Sequence, residues 1–197
     1  YSGGTLEIYI TDGALSVSSG KQTWTVPATG TYAITAYGAQ GKSADPSYSG
    51  GYGAMVYGEF DLVEGDVLTI IAGQLGTGDG CNGGGGGGSF VVDSDGNPLL
   101  IAGGGSGTRT EVSQNGCDGR VSEYGGTGSG SNETHSCAQK SSNLGSGGFV
   151  SSGAWGSGGG GFSGSGTTDG GSSGGGKSWA SGMTGGSGSA AGGGGGG

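Results

Sequence analysis

Basic residues are scarce in this chain: six Lys and Arg stand against 15 Asp and Glu, for a formal charge of −9. That balance argues against nucleic acid or an anionic membrane surface as partner, because both reward basic patches. Proline is equally thin. With only 3 prolines and no strict Gly-X-Y period, the 59 glycines among 197 residues do not describe collagen. Long apolar runs are missing, and none approaches the roughly 20 residues that a membrane-spanning helix needs, so membrane insertion is not expected. His135 is the single histidine and there is no Cys-x-x-Cys pair, which removes the common zinc ligand sets. No signal peptide is visible and the chain starts at Tyr1, as expected of a processed piece or of a chain whose leader has been removed.

What is present falls into two compositional halves. Residues 1–75 hold 13 glycines and residues 76–197 hold 46. The first half reads as β-structure. Leu6, Ile8 and Ile10 alternate along Thr5–Ile10, and Trp24 and Val26 do so along Gln22–Val26. Further runs rich in β-branched and aromatic residues cover Thr31–Tyr37, Ala54–Phe60, Val67–Ala72, Ser89–Val92 and Leu99–Ala102. Asp93-Ser94-Asp95-Gly96-Asn97-Pro98 is a turn signal between the last two. About seven short strands and no 3.6-residue period favour an all-β sandwich or jelly roll.

From Gly103 onward the bulky residues sit singly between glycine runs. Glycine is too costly in backbone entropy to hold an ordinary helix or strand interior. Two readings follow: a flexible Gly/Ser linker, or a bundle of polyproline-II strands in which bare glycine backbones touch. The expected organisation is an N-terminal strand and hinge at 1–20, with Gly13, Ser16, Ser18, Ser19 and Gly20 as the hinge. A β-sandwich follows at 21–102, with a glycine insert near 76–88, and then a glycine/serine-rich region at 103–197.

Several blocks in order carry a family resemblance. They are Gln22-Thr23-Trp24-Thr25-Val26-Pro27-Ala28, Thr31 to Gly41, Gly51-Tyr52-Gly53-Ala54, Leu68 to Gly76, the run Gly83 to Gly88, Phe90-Val91-Val92 and Leu100 to Gly105. Together they resemble the glycine-rich domain of the anaplastic lymphoma kinase and leukocyte tyrosine kinase receptors and of many secreted microbial proteins. The resemblance implies a tumour-necrosis-factor-like jelly roll carrying glycine-rich polyproline-II strands, in an extracellular or cell-surface setting. Members of that family close the jelly roll with a strand after the last glycine run, whereas Gly192–Gly197 ends this sequence. An open sheet edge invites strand pairing. Leu6, Ile8 and Ile10 are therefore expected to form an assembly strand, added within the subunit or donated to a neighbour.

Motifs that suggest chemistry have blander readings. Gly171 to Ser178 fits the phosphate-loop pattern and Gly170 to Gly174 the nucleophile elbow, but both lack the strand before and the helix after that make such loops work. Asp93 to Asn97 resembles the start of a calcium loop whose twelfth position falls on Gly104, so a hairpin turn is the better reading. Asp61, Glu64 and Asp66 cluster in a loop that offers weak calcium ligands, but a solvated acidic turn is the better reading. Of Cys81, Cys117 and Cys137, the simplest pairing is Cys117 with Cys137, leaving Cys81 free or bonded to another chain. Asn132-Glu133-Thr134 is a glycosylation sequon. Tyr48, Tyr52, Trp155, Phe162 and Trp179 either stack on sugars or cap the glycine bundle. No catalytic, cofactor or metal site is expected. The leading expectation is an extracellular structural protein that self-associates into a fibre or matrix by strand donation. A binding module for a glycan or protein is the alternative.

Overall fold

The computed structural model describes residues 6–7, 15–18, 21–43, 46–78, 83–108, 115–121, 145–149, 157–168 and 174–181. The described fold is all-β, with two antiparallel sheets and a single 3-10 turn, Trp179–Ser181. The strands are β1 (Leu6–Glu7), β2 (Leu15–Ser18), β3 (Lys21–Thr25), β4 (Gly30–Tyr37), β5 (Met55–Leu62), β6 (Val67–Ile71), β7 (Ser89–Val92) and β8 (Pro98–Ala102). One sheet runs β1-β4-β5 and the other β2-β3-β6-β7-β8.

The inner faces of the sheets meet in a core of Trp24, Val26, Ile34, Ala36, Leu62, Leu68, Ile70, Val91, Leu100 and Ala102. Alternation explains the choice. Ile34 and Ala36 point inward from β4, and Leu68 and Ile70 from β6, each two residues apart. Tyr32 closes one end: its ring lies edge-on to Trp24 at 5.4 Å, and its hydroxyl donates to Ala28 O at 2.6 Å. The turn after β7 is held by Asp93, whose carboxylate accepts from the amides of Asp95 (2.9 Å) and Asn97 (2.8 Å), while Gly96 takes φ +87°. The hairpin reading of this segment holds.

At its N-terminus the chain departs from expectation. Leu6 pairs with Ala36 and Glu7 with Thr35, so the start of the expected assembly strand lies on β4 of its own chain. Ile8 and Ile10 lie outside the described residues. Within the expected hinge, Ser16 and Ser18 belong to a strand, Leu15–Ser18, paired antiparallel with β3 from Leu15↔Trp24 to Ser18↔Lys21, while Gly13, Ser19 and Gly20 lie outside the described residues. The physical reason is the Leu-Ser-Val-Ser alternation, which suits a strand despite its serines.

The strands β4, β6 and β8 run out of the two sheets, and β5 and β7 run into them, through glycine-rich segments at one common end. These segments bond with a three-residue repeat. The amides of Gly83 and Gly86 donate to the carbonyls of Thr108 and Gly105 (2.9 Å each), those of Gly84 and Gly87 to Thr77 and Gln74 (2.9 Å each), and those of Gly85 and Gly88 to Ser157 and Gly160 (3.1 and 3.3 Å). Every third residue faces the same neighbour, which is the periodicity of a three-residue-per-turn polyproline-II helix. A fourth neighbour donates inward, from Ala39 to Gly87 and from Lys42 to Gly84. The bundle thus draws on residues before 103 as well as after. The close spacing requires bare backbone: a Cβ on Gly86 would overlap the carbonyl oxygen of Ala39.

Side chains finish the rim of the bundle with the same repeat. Asn115 Oδ1 accepts from the Ser49 amide (3.0 Å) and Asp118 Oδ1 from the Tyr52 amide (2.8 Å). Gly116 and Gly119 donate to the carbonyls of those same two residues (2.8 and 2.7 Å). An Asp118→Ala variant is expected to lose about 0.5–1 kcal/mol, at the low end because the carboxylate is exposed. Hydrogen exchange at the Tyr52 amide should rise, and an unchanged rate there would show that the cap is idle.

The outer face of the five-stranded sheet is also covered. Ile71, Phe90 and Val92 form a second cluster under Phe162 and Trp179. The Phe90 ring lies 5.8 Å from Phe162 and 6.1 Å from Trp179, and those two are 5.8 Å apart. Lys21 Nζ sits 4.6 Å from the Trp179 ring centre, a cation–π contact. Phe162 and Trp179 thus pack on the outer face of the sheet.

Candidate functional site

The loop-like motifs take ordinary structural roles where they are described. In the phosphate-loop look-alike, the Gly175 amide donates to Thr168 Oγ1 (3.0 Å), the Gly176 amide to Gly158 O (2.8 Å) and the Ser178 amide to Ser165 Oγ (3.2 Å). Donors committed in this way do not face a bound anion, and a three-residue 3-10 turn follows. In the acidic turn, Asp66 Oδ2 accepts from the Val63 amide (2.8 Å), and the Glu64 amide donates to Thr29 Oγ1 (3.0 Å). His135, Asn132, Cys81, Cys137 and Trp155 lie outside the described residues. Cys117 is disulfide-bonded and buried, its amide donating to Ser106 Oγ at 2.6 Å.

The Asp93 carboxyl is held below its usual range. The leading cause is the Asn97 amide donating to it, followed by the Asn97 side chain. A depressed folded-state value means that the turn contributes stability above the unfolded carboxylate range and loses it as pH falls through the folded value. Thermal melts between pH 7 and pH 2 should therefore show an acid-side loss that is smaller in Asp93→Ala. Identical pH dependence in the two proteins would refute this.

The surface with the most varied chemistry is the outer face of β4–β5. The register places Tyr37 opposite Met55, Thr35 opposite Tyr57, Ala33 opposite Glu59 and Thr31 opposite Asp61. The other parity of β5 turns inward, where Val56 and Phe60 pack on the core. Tyr57 donates its hydroxyl to Glu59 Oε1 at 2.5 Å, and Thr31 donates to Asp61 Oδ1 at 2.7 Å. The hydrogen bond to Glu59 is the main reason the Tyr57 hydroxyl titrates above its ordinary value; burial and the Glu59 charge add to it. The sequence reading left Tyr57 and Glu59 inside an ordinary strand and assigned Asp61 to the acidic turn after it, whereas Asp61 belongs to β5 and faces Thr31 across the sheet. The signal for this row was the polar parity of β5, Tyr57-x-Glu59-x-Asp61.

No helix among the described residues is long and apolar enough to cross a membrane. No known family profile matches the chain. A stretch of 77 residues, 39% of the chain, is 40% identical to the leukocyte tyrosine kinase receptor of Mus musculus. The match spans 9% of that receptor's length, so the similarity is to one small region of a much longer protein.

Proposed function

We propose that this chain is an extracellular, non-enzymatic recognition module. In this reading the two sheets are the halves of a jelly roll, and the glycine segments are a polyproline-II bundle that stiffens it. The observation that carries the reading is the closure of the bundle interior. All six amides of Gly83–Gly88 are spent on neighbouring segments, leaving rigidity rather than reactive groups. Chemistry is then left to side chains displayed on the sandwich, as expected of a scaffold that presents a surface. The partial similarity to a receptor and the acidic charge support an extracellular setting. Size-exclusion chromatography with light scattering tests the module directly. A defined small species is expected, and long polydisperse assemblies would replace this reading with the next one.

The second reading is a fibre subunit assembled by donating the strand that contains Leu6, Ile8 and Ile10. It is favoured by an odd number of cysteines and by the edge position of β5 among the described residues. It ranks second because Leu6 and Glu7 pair within their own chain. Deleting residues 1–12 abolishes assembly if donation operates, and polymers formed without those residues exclude it.

For the disulfide, Cys137 is the proposed partner of Cys117. The bridge would close a loop of about 20 residues and contribute roughly 3 kcal/mol on the chain-entropy model. Non-reducing peptide mapping should find the 117–137 linked peptide, and a link to Cys81 would overturn the pairing. Glycosylation at Asn132 belongs to the same extracellular reading.

A further inference from the structure

The outer face of β4–β5 is organised beyond what a solvated sheet needs. Met55, Tyr57, Glu59 and Asp61 occupy alternate positions of one strand, about 6.6–6.8 Å apart along it. Met55 and Tyr57 are 57% and 55% exposed. Across from Tyr57 and Glu59 stand the small residues Thr35 and Ala33, so the tyrosine ring rises beside a low floor. The ring is tethered through its hydroxyl to Glu59, and Asp61 is tethered by Thr31. One oxygen of each carboxylate is used in this way. Among the described residues, Glu59 Oε2 and Asp61 Oδ2 take no hydrogen bond.

These features define the complementary ligand. An ionised carboxylate only accepts hydrogen bonds, so two such oxygens in a row call for a ligand rich in donors. A fixed, exposed aromatic ring calls for a flat apolar patch on the same ligand. Strands β4 and β5 contain no Lys or Arg, so sulfated, sialylated or uronate sugars meet uncompensated negative charge. A sugar ring offers both requirements at once: C–H groups across one face and hydroxyl donors at the edge.

We propose that this face binds an uncharged oligosaccharide, with one sugar ring stacked on Tyr57 and the hydroxyls of the chain donated to Glu59 Oε2 and Asp61 Oδ2. The ring and the carboxylates are held in place before binding, so little ordering accompanies recognition. Met55 and Tyr37 extend the apolar floor at the tyrosine end. This inference rests on the recognition-module reading and names its ligand class.

The test is titration of the intact protein, by calorimetry and amide NMR, with cellotetraose, mannotetraose and N-acetylated chitotetraose, and with a heparin tetrasaccharide as the anionic probe. At least one uncharged tetrasaccharide should bind, with shifts centred on β4–β5, and heparin should not bind there. Tyr57→Ala should weaken binding by about tenfold or more, Tyr57→Phe by less, and Glu59→Gln should weaken it without altering the circular dichroism spectrum. Sugar binding that is unchanged in Tyr57→Ala overturns this site and leaves the module reading intact. Failure of all three uncharged sugars at millimolar concentration overturns the saccharide. If a lysine-rich peptide then occupies the face, the ligand is a protein. Heparin binding on β4–β5 contradicts the charge argument.

Discussion

A Gly86→Val variant is expected to lose the glycine bundle rather than merely loosen it. Gly86 lies in the middle of Gly83–Gly88, where all residues are buried. Its new side chain would overlap the carbonyls of Ala39 and Gln40. Both are backbone atoms that anchor neighbouring segments, so relief by a rotamer change is closed. Overpacking in an ordinary core costs roughly 1–3 kcal/mol, and immovable neighbours put this site at or above the top of that range. Chemical denaturation should show the loss, and amides of residues 103–108 and 157–160 should exchange faster. Gly164→Ala is the control, because the nearest atoms to a Cβ there are 3.8 Å away. Substitutions of that kind usually change stability by less than about 0.5 kcal/mol. Equal stability of the Gly86→Val protein would mean that the segment behaves as a linker.

Phe90→Ala is the second large effect. Phe90 is 0% exposed and has Phe162 and Trp179 packed on it. Removing such a ring costs about 3–5 kcal/mol. The loss is expected to be local in character. The inter-sheet core of Trp24, Ile34, Leu68 and Leu100 does not include Phe90, whereas Phe162 and Trp179 pack against it. Limited proteolysis should therefore cut first within 157–181 while the near-ultraviolet signal of Trp24 persists. Cleavage spread evenly over the chain, with a single cooperative loss, would show that the two clusters are one unit.

The two sheets were largely legible in the sequence because their strands combine alternation with β-branched and aromatic residues. Ser89–Val92 matches residue for residue, and the expected Thr31–Tyr37 and Val67–Ala72 differ from Gly30–Tyr37 and Val67–Ile71 by one residue. Leu15–Ser18 was missed because its two serines sit among Gly13, Ser19 and Gly20, where composition suggests a hinge and only the alternation suggests a strand. The order of the glycine segments was harder to read. Hydrogen bonds between bare backbones leave no apolar pattern, so nothing in Gly83–Gly88 distinguishes a lattice from a linker. The exception was visible in hindsight: Asn115-Gly116-Cys117-Asp118-Gly119 repeats an amide-accepting residue and a glycine every three positions, matching the pitch of the segment it caps. The outer row of β5 was legible as a polar face. Its tethers were not, because the Thr31–Asp61 contact depends on strand register rather than on sequence proximity.

The threefold repeat also limits how such a chain can change its length. Adding one residue within Gly83–Gly88 would turn all later residues by a third of a revolution, so amides addressed to Gly105 would point at Gln74 or Ser157 instead. Adding three would restore each address and only lengthen the rod. Insertions and deletions inside these segments should therefore be tolerated in steps of three and rejected in steps of one or two. The bundle would then have a counting rule of its own, akin to a reading frame imposed by geometry.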